Sequence, residues 1–446
     1  MDEGPSGEAL LTARAMRRLA GLLLLAAGQA LCAQAKAGET PIFVATDIHY
    51  LAPELHDEGP AFQGMVQSGD GKDTGHCEEL LEALEHELPK PSILLVTGDL
   101  TLNGEEASHR ALARRFEAFR KAGIRVFVLP GNHDLDNPWA SEYRGSARRR
   151  VGSVSAKRFR EIYRDCGYGA ALSKDGASPG YLVRLDSGTV ALMLDSTEHE
   201  LNLDQGYPSP GGRLSEATLG WIDQVMGEAR SNGQKVIVAM HHSLIDHNSM
   251  LGEGYTLENA QELIAVLQRY RQPYALSGHI HIQSIAKRST ALGDIFDIAT
   301  GSLAVYPNNY GALRLDKSSR RALYETRRLD VAAWARAKGL AEPYLREYAK
   351  SSADYFGGFA RRLADKSGMA EGLSKDEKES FLDFMAELNL RFFAGTIDAP
   401  ARRELLDSAG YKAARKMSGT FLADYIESVL GPPALDSNRL SIPADK

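Results

Sequence analysis

Short apolar runs stopped by glycine or polar residues recur along this chain. The runs Pro41–Thr46, Ile93–Val96, Ile124–Leu129, Val190–Leu194, Lys235–Met240 and Tyr274–Leu276 are rich in β-branched residues and end in turn-forming residues, which predicts buried strands. Between them, 76–88 carries Leu80, Leu81, Leu84 and Leu88 on one helical stripe, and 105–122, 155–164, 215–231 and 256–270 follow the same period. Strands alternating with helices imply a layered α/β arrangement with several parallel strands. Tyr181–Leu185 and Val190–Leu194, joined at Asp186-Ser187-Gly188, read as a hairpin. Strands predicted at 284–288, 295–299, 311–316 and 321–328 complete a second sheet, and the polar stretch 50–75 reads as a long loop.

From residue 329 the period is helical throughout: 330–349, 351–366, 374–393 and 399–430. Tyr344, Tyr348, Tyr355, Phe356, Phe359, Phe381, Phe384, Phe392 and Phe393 fall at helical spacing and read as a core stripe. The expected layout is an α/β core over 36–328, an all-α C-terminal domain over 329–430 and a mobile tail over 431–446.

The stops between elements carry the chemistry. Pro130-Gly131-Asn132-His133-Asp134 closes one apolar run, Asp47-Ile48-His49 another, and Gly98-Asp99 a third. His241-His242-Ser243 and Gly278-His279-Ile280-His281 close two more. Each block alone would pass for turn punctuation, a surface pair or a satisfied core histidine. Together they place carboxylates, an amide and imidazoles at the ends of strands, where open α/β sheets bind ligands. Spacing of i and i+2 puts Asp47 with His49, and His279 with His281, on one strand face. Oxygen and nitrogen donors without thiolate suit a hard or borderline cation, namely manganese, iron or zinc. Seven such donors are too many for one ion and suit two; a bridging carboxylate would hold the pair ~3.5–4 Å apart, the spacing used for displacement at phosphorus.

Composition narrows the remaining readings. The 446 residues are 43% hydrophobic and 25% charged, ordinary values for a globular protein with a full core. A formal net charge of −7 gives no reason to expect a nucleic-acid duplex or an anionic membrane as partner. Arg17-Arg18, the apolar run Leu19–Ala27 and Ala33-Gln34-Ala35 read as a secretory signal peptide over 1–35, with Met16 a candidate start. The run is shorter than the ~20 residues of a spanning helix, so an exported protein without a stable membrane span is expected. Gln29-Ala30-Leu31 fits the lipid-attachment pattern before Cys32 poorly, which leaves a lipid anchor a minor alternative. Cys77 and Cys166 remain; their pairing is not legible in the sequence. Ser68-Gly69-Asp70-Gly71-Lys72-Asp73-Thr74 lacks phosphate-loop spacing and reads as loop, with substrate contact open to it.

The five blocks, complete and in order over about 41–325, resemble the calcineurin-like metallophosphoesterase motif D-x-H, G-D, G-N-H-[DE], H and G-H-x-H. The resemblance implies an αββα two-sheet core and a hydrolase with two divalent ions. Asp47, His49, Asp99 and His281 would hold one ion, and Asp99, Asn132, His241 and His279 the other. His133 would donate a hydrogen bond or proton to the phosphate or leaving oxygen, oriented by Asp134. Many members carry a proline after the fourth-block histidines; here Ser243 stands there, which keeps His242 as second choice to His241. The helical extension is similar in layout to bacterial relatives of class III cyclic-nucleotide phosphodiesterases. The expected substrate is therefore a small phosphodiester or nucleotide. The alternatives are a phosphomonoesterase or nucleotidase and, from another class, a surface binding protein with a vestigial site. Little Arg or Lys beyond Lys72 stands in the motif-bearing loops, whereas Glu198, Glu200, Asp204, Asp246 and Glu253 lie in loops near the strand ends. That balance favours a singly charged diester over a monoester dianion.

Overall fold

A computed structural model describes residues 41–69, 71–316, 321–367, 370, 372–417, 420–431 and 435–442. The expected signal peptide therefore lies outside the described residues. The early strands are β1 (Pro41–Ala45), β2 (Ile93–Thr97) and β3 (Arg125–Leu129), then a separate hairpin, β4 (Ser141–Arg144) with β5 (Ala147–Arg150). Next come β6 (Ala171–Lys174), β7 (Tyr181–Arg184), β8 (Thr189–Met193), β9 (Lys235–Ala239) and β10 (Tyr274–Ser277). The last are β11 (Ser284–Thr290), β12 (Gly293–Ala299), β13 (Asn309–Leu315), β14 (Ala322–Arg328) and β15 (Arg439–Ile442).

One sheet runs β15-β14-β13-β1-β2-β3 and the other β11-β12-β10-β9-β8-β7-β6. β1, β2 and β3 are parallel, as are β8, β9, β10 and β12, so the centre of each sheet has its C-terminal ends on one edge. Phe43, Leu95 and Phe127 of the first sheet share a core with Ala191, Ile237 and Leu276 of the second. The far face of the second sheet packs Leu192 and Val238 against Ile222, Val225 and Leu263 of helices Glu216–Ser231 and Ala260–Arg269. Helices Cys77–His86 and Glu106–Lys121 bury Leu80, Leu84, Phe116 and Phe119 in the first core. This is the expected αββα core with helices following it.

Three expectations need correction. β13 and β14 join the first sheet, with β13 antiparallel to β1, rather than completing the second. An apolar run announces a strand but not its neighbour, which long-range packing selects. The stretch 50–75 contains a helix, Pro60–Ser68, that buries only Phe62 and so leaves almost no apolar stripe to read. The expected mobile tail contains β15, paired antiparallel to β14 with Ile442 buried opposite Ala322.

The C-terminal helices include Val331–Ala337, Pro343–Arg346, Tyr348–Lys366, Lys375–Phe393, Ala399–Asp407, Ala409–Ala414 and Phe421–Val429. Ser374 and Glu377 cap the fourth of these reciprocally. Phe381, Phe384, Met385, Leu388, Leu405 and Ile426 form their own core, while Trp334, Leu345 and Tyr348 extend the core of the α/β layers. Cys77 and Cys166 are both buried free thiols. Among the described residues, no helix is long and apolar enough to cross a membrane.

Candidate metal centre

The motif residues meet just past the C-terminal ends of the parallel strands. β1 ends at Ala45 and β10 at Ser277, so Asp47, His49, His279 and His281 lie beyond their strands. Strand alternation therefore does not pair Asp47 with His49 or His279 with His281, contrary to expectation. Asp47, His49, Asp99, His279 and His281 instead take left-handed backbone, with φ of 51°, 47°, 49°, 67° and 59°. Non-glycine residues seldom adopt that region, and each costs of order 1–3 kcal/mol unless its surroundings enforce it. Here backbone bonds do so: Asp47 N donates to Gly98 O and His49 N to Asp99 O, both at 3.0 Å. The motif glycines permit the close approach. A Cβ on Gly131 would sit 2.2 Å from Asp99 N, and one on Gly278 2.0 Å from Thr46 Oγ1.

Asp47, His49, Asp99 and His281 bring one ligand atom each to within 4.8 Å of one another, and Asp99, His241 and His279 form a second such group. Asp99 belongs to both. In the first, His281 Nε2 is 3.2 Å from Asp47 Oδ1, and His49 Nε2 is 3.7 Å from Asp99 Oδ2. In the second, His241 Nε2 is 3.4 Å from Asp99 Oδ1 and 3.1 Å from Asn132 Oδ1. The amide of Asn132 thus lies at the edge of the second group.

Outer contacts aim each ring. His241 Nδ1 donates to Thr97 O at 2.8 Å, which turns Nε2 toward Asp99 and Asn132. His279 Nε2 donates to Gly254 O at 2.9 Å, turning Nδ1 inward. Asp47 Oδ2 accepts from Thr46 Oγ1 at 2.7 Å and His279 N at 3.0 Å. Asp47 Oδ1 is buried and accepts no hydrogen bond among the described residues.

These features fit cations. Buried carboxylate oxygens and imidazole nitrogens converge from separate strand ends. Burial opposes the charged form of His241, but Asp99's charge and hydrogen bond outweigh it and raise its pKa to about 9. Burial likewise works to raise Asp99, yet His241 and His133 hold it well below the usual carboxylate range. Oxygen and nitrogen donors in this number suit two hard or borderline divalent ions.

His242 stays outside the cluster. Ser196 Oγ lies 2.8 Å from its Nδ1 and Pro210 O 3.1 Å from its Nε2, so both ring nitrogens are engaged. The missing proline has a local reason. Ser243 N donates to Tyr255 O at 3.0 Å, a bond that proline lacks the hydrogen to make.

His133 Nδ1 donates to Leu102 O at 2.9 Å, which leaves Nε2 4.0 Å from Asp99 Oδ2. Burial lowers the pKa of this imidazole. The structure contradicts the orienting role expected of Asp134. Its carboxylate accepts from Leu100 N, Thr101 N, Thr101 Oγ1 and Gly131 N at 2.9–3.0 Å, tying the Asp99 loop to the Asn132 loop. Backbone atoms, invisible to motif reading, orient His133. Asp297 was also missed. Its Oδ2 accepts from Leu244 N at 2.5 Å and Ile245 N at 3.2 Å, and its Oδ1 from Ser277 Oγ at 2.8 Å, so it braces both histidine loops. An acid inside the apolar strand Ile295-Phe296-Asp297-Ile298 was its available signal.

Residues 40–283 match the calcineurin-like phosphoesterase family, and 330–433 match the C-terminal domain of cyclic nucleotide phosphodiesterase. A 3′,5′-cyclic-nucleotide phosphodiesterase of Nostoc sp. is 27% identical over 244 residues, 54% of this chain and 72% of that protein. The 3′,5′-cyclic adenosine monophosphate phosphodiesterase CpdA of Escherichia coli is 25% identical over 205 residues, 46% of this chain and 59% of that protein. A dimetal phosphatase structure from Danio rerio aligns with TM-score 0.46 at 15% identity, over 65% of this chain and 96% of that one. With a family match across more than half its length and a two-lobed cluster of side chains able to hold metal, this chain belongs to the calcineurin-like phosphoesterase family and is a metal-dependent phosphoesterase.

Proposed function

We propose that the chain is a cyclic-nucleotide phosphodiesterase. The observation that carries this reading is the match of 330–433 to the C-terminal domain of cyclic nucleotide phosphodiesterase, in register behind the phosphoesterase core. The names of the Nostoc and Escherichia coli relatives support it.

In this reading Asp47, His49, Asp99 and His281 hold one divalent ion, and Asp99, Asn132, His241 and His279 hold the second, with Asp99 shared. Manganese, iron or zinc bound there would polarise the phosphoryl oxygens and lower the pKa of water to a usable value. Water oxygen joins phosphorus, one ester P–O bond breaks, and the leaving oxygen takes a proton. His133 is placed to give that proton, since its Nδ1 is committed to Leu102 O and its Nε2 faces Asp99.

Charge around the site favours a diester. The loops after β8 and β9 abut it through the contacts Ser196–His242 and Gly254–His279. They expose Glu200, Asp204, Asp246 and Glu253, with Glu198 half-buried, and so repel a dianion more than a monoanion. The test is a substrate panel with manganese: 3′,5′- and 2′,3′-cyclic nucleotides, bis(p-nitrophenyl) phosphate and p-nitrophenyl phosphate. A kcat/KM for the 3′,5′-cyclic nucleotides above that for the monoester is expected; a preference of about tenfold or more for the monoester overturns the reading. We also propose export, on the basic, apolar and small-residue pattern of 17–35; a mature N-terminus near Lys36 supports it, and one at or before Met16 counts against it.

A further inference from the structure

Ser243 stands in the fourth motif block in place of a proline, and its freed N–H anchors an aromatic residue beside the metal centre. Ser243 N donates to Tyr255 O at 3.0 Å, and Leu257 N donates back to Ser243 O at 2.8 Å. These bonds make a short parallel bridge between the His241 loop and the loop that carries Tyr255. Tyr255 N donates to Gly252 O at 3.1 Å. The residue before it, Gly254, has a φ of 78° and accepts from His279 Nε2 at 2.9 Å. Two motif blocks, those of His241 and His279, therefore fix the backbone around Tyr255.

Tyr255 nevertheless stays at the surface, 37% exposed. Its ring centroid lies 5.5 Å from that of His279, with 46° between the planes. His279 in turn meets the rings of His242 at 4.6 Å and His241 at 4.9 Å. Tyr255 is thus the exposed end of a row of rings that starts at the residues of the second metal group. A nucleobase lies one ribose away from its phosphate, so it falls beside the ligand rings when the phosphate sits at the centre. Tyrosine offers a large flat contact with only two side-chain torsions to fix, and here its backbone is already held.

We propose that Tyr255 is a specificity-determining residue whose ring stacks on the nucleobase of the substrate. The inference rests on the cyclic-nucleotide reading and adds to it the part of the nucleotide that the phosphate chemistry leaves untouched. Every base has a π-face, so one stacking ring accepts adenine and guanine esters alike. A phosphodiester without a base gains nothing from it.

The test uses the full chain loaded with manganese. Wild type, Tyr255→Ala and Tyr255→Phe are compared for metal content, inorganic phosphate affinity by calorimetry, and kcat and KM on two cyclic diesters. One is 3′,5′-cyclic adenosine monophosphate; the other is the cyclic phosphate of 1,3-propanediol, which has the same phosphate ring and no base. Tyr255→Ala should keep its metal, its phosphate affinity and its rate on the base-free diester. Its kcat/KM on the nucleotide should fall about fivefold to a hundredfold, the worth of one base–aromatic stack, mainly through KM. Tyr255→Phe should match the wild type. Unchanged kcat/KM on the nucleotide in Tyr255→Ala overturns the proposal, and so does an equal fall on both diesters or a loss of metal. A Tyr255→Phe variant as poor as Tyr255→Ala overturns stacking, since the hydroxyl would then carry the effect. Wild-type protein that cleaves bis(p-nitrophenyl) phosphate but no cyclic nucleotide removes the cyclic-nucleotide reading instead. The ring is then judged on that aryl diester, where an unchanged KM in Tyr255→Ala overturns its role.

Discussion

Nε2 of His49 lies 3.0 Å from Nε2 of His281, although the two are 232 positions apart in the chain. Two imidazole nitrogens can face each other this closely by sharing a proton or by sharing a cation. Asp47 Oδ1, buried with no hydrogen-bond donor among the described residues and 3.2 Å from His281 Nε2, favours the cation. Replacing His281 with Ala should therefore remove one equivalent of metal and leave the group of Asp99, His241 and His279 loaded. Elemental analysis of His281→Ala checks this; full retention of both metals would contradict it.

His133→Ala should keep its metal and lose rate. The ring reaches the site through Nε2 while Nδ1 is fixed by Leu102 O, so a proton donor is removed without disturbing the clusters. A fall in kcat of ~10²–10⁴ is expected. Loss of a metal with normal phosphate binding would make His133 a ligand.

Asp134 should matter for folding of the site. Asp134→Ala strips partners from Leu100 N, Thr101 N and Gly131 N, all buried. Each unsatisfied group costs about 1–3 kcal/mol, so a loss of about 3 kcal/mol or more is expected in denaturant unfolding. A variant of unchanged stability but reduced kcat would restore the orienting role that the geometry denies.

Gly131→Ala should break the centre through sterics alone. The added Cβ would lie 2.2 Å from both Asp99 N and Asp99 Oδ1, so the Asp99 loop must shift. Metal analysis should show both equivalents weakened, because Asp99 belongs to both groups. Wild-type metal affinity in this variant would show that the loop has room to give.

Much of this arrangement is legible in one sequence, for a physical reason. A buried strand needs a continuous apolar run, so the polar residue that ends it stands out, and parallel strands gather such ends on one edge. Asp47, Asp99, Asn132, His241 and His279 could be collected in that way. Other features leave no such trace. The left-handed backbone of Asp47 and His49 is held by tertiary hydrogen bonds, and Leu102's hold on His133 uses a carbonyl that every residue has. Tyr344 and Tyr348 sit at core spacing, yet their hydroxyls reach Asp73 in a loop some 270 residues earlier (271 and 275 positions). β15 has only Leu440 and Ile442 to announce it.

The most direct measurement is the metal stoichiometry of the wild-type protein and Asp99→Ala, with phosphoesterase activity assayed on the same samples. Asp99 is the one carboxylate common to both groups. Wild-type protein should hold two divalent ions per chain and lose activity on chelation. Asp99→Ala should lose most of both the metal and the activity. Full activity of Asp99→Ala in excess chelator would contradict the account.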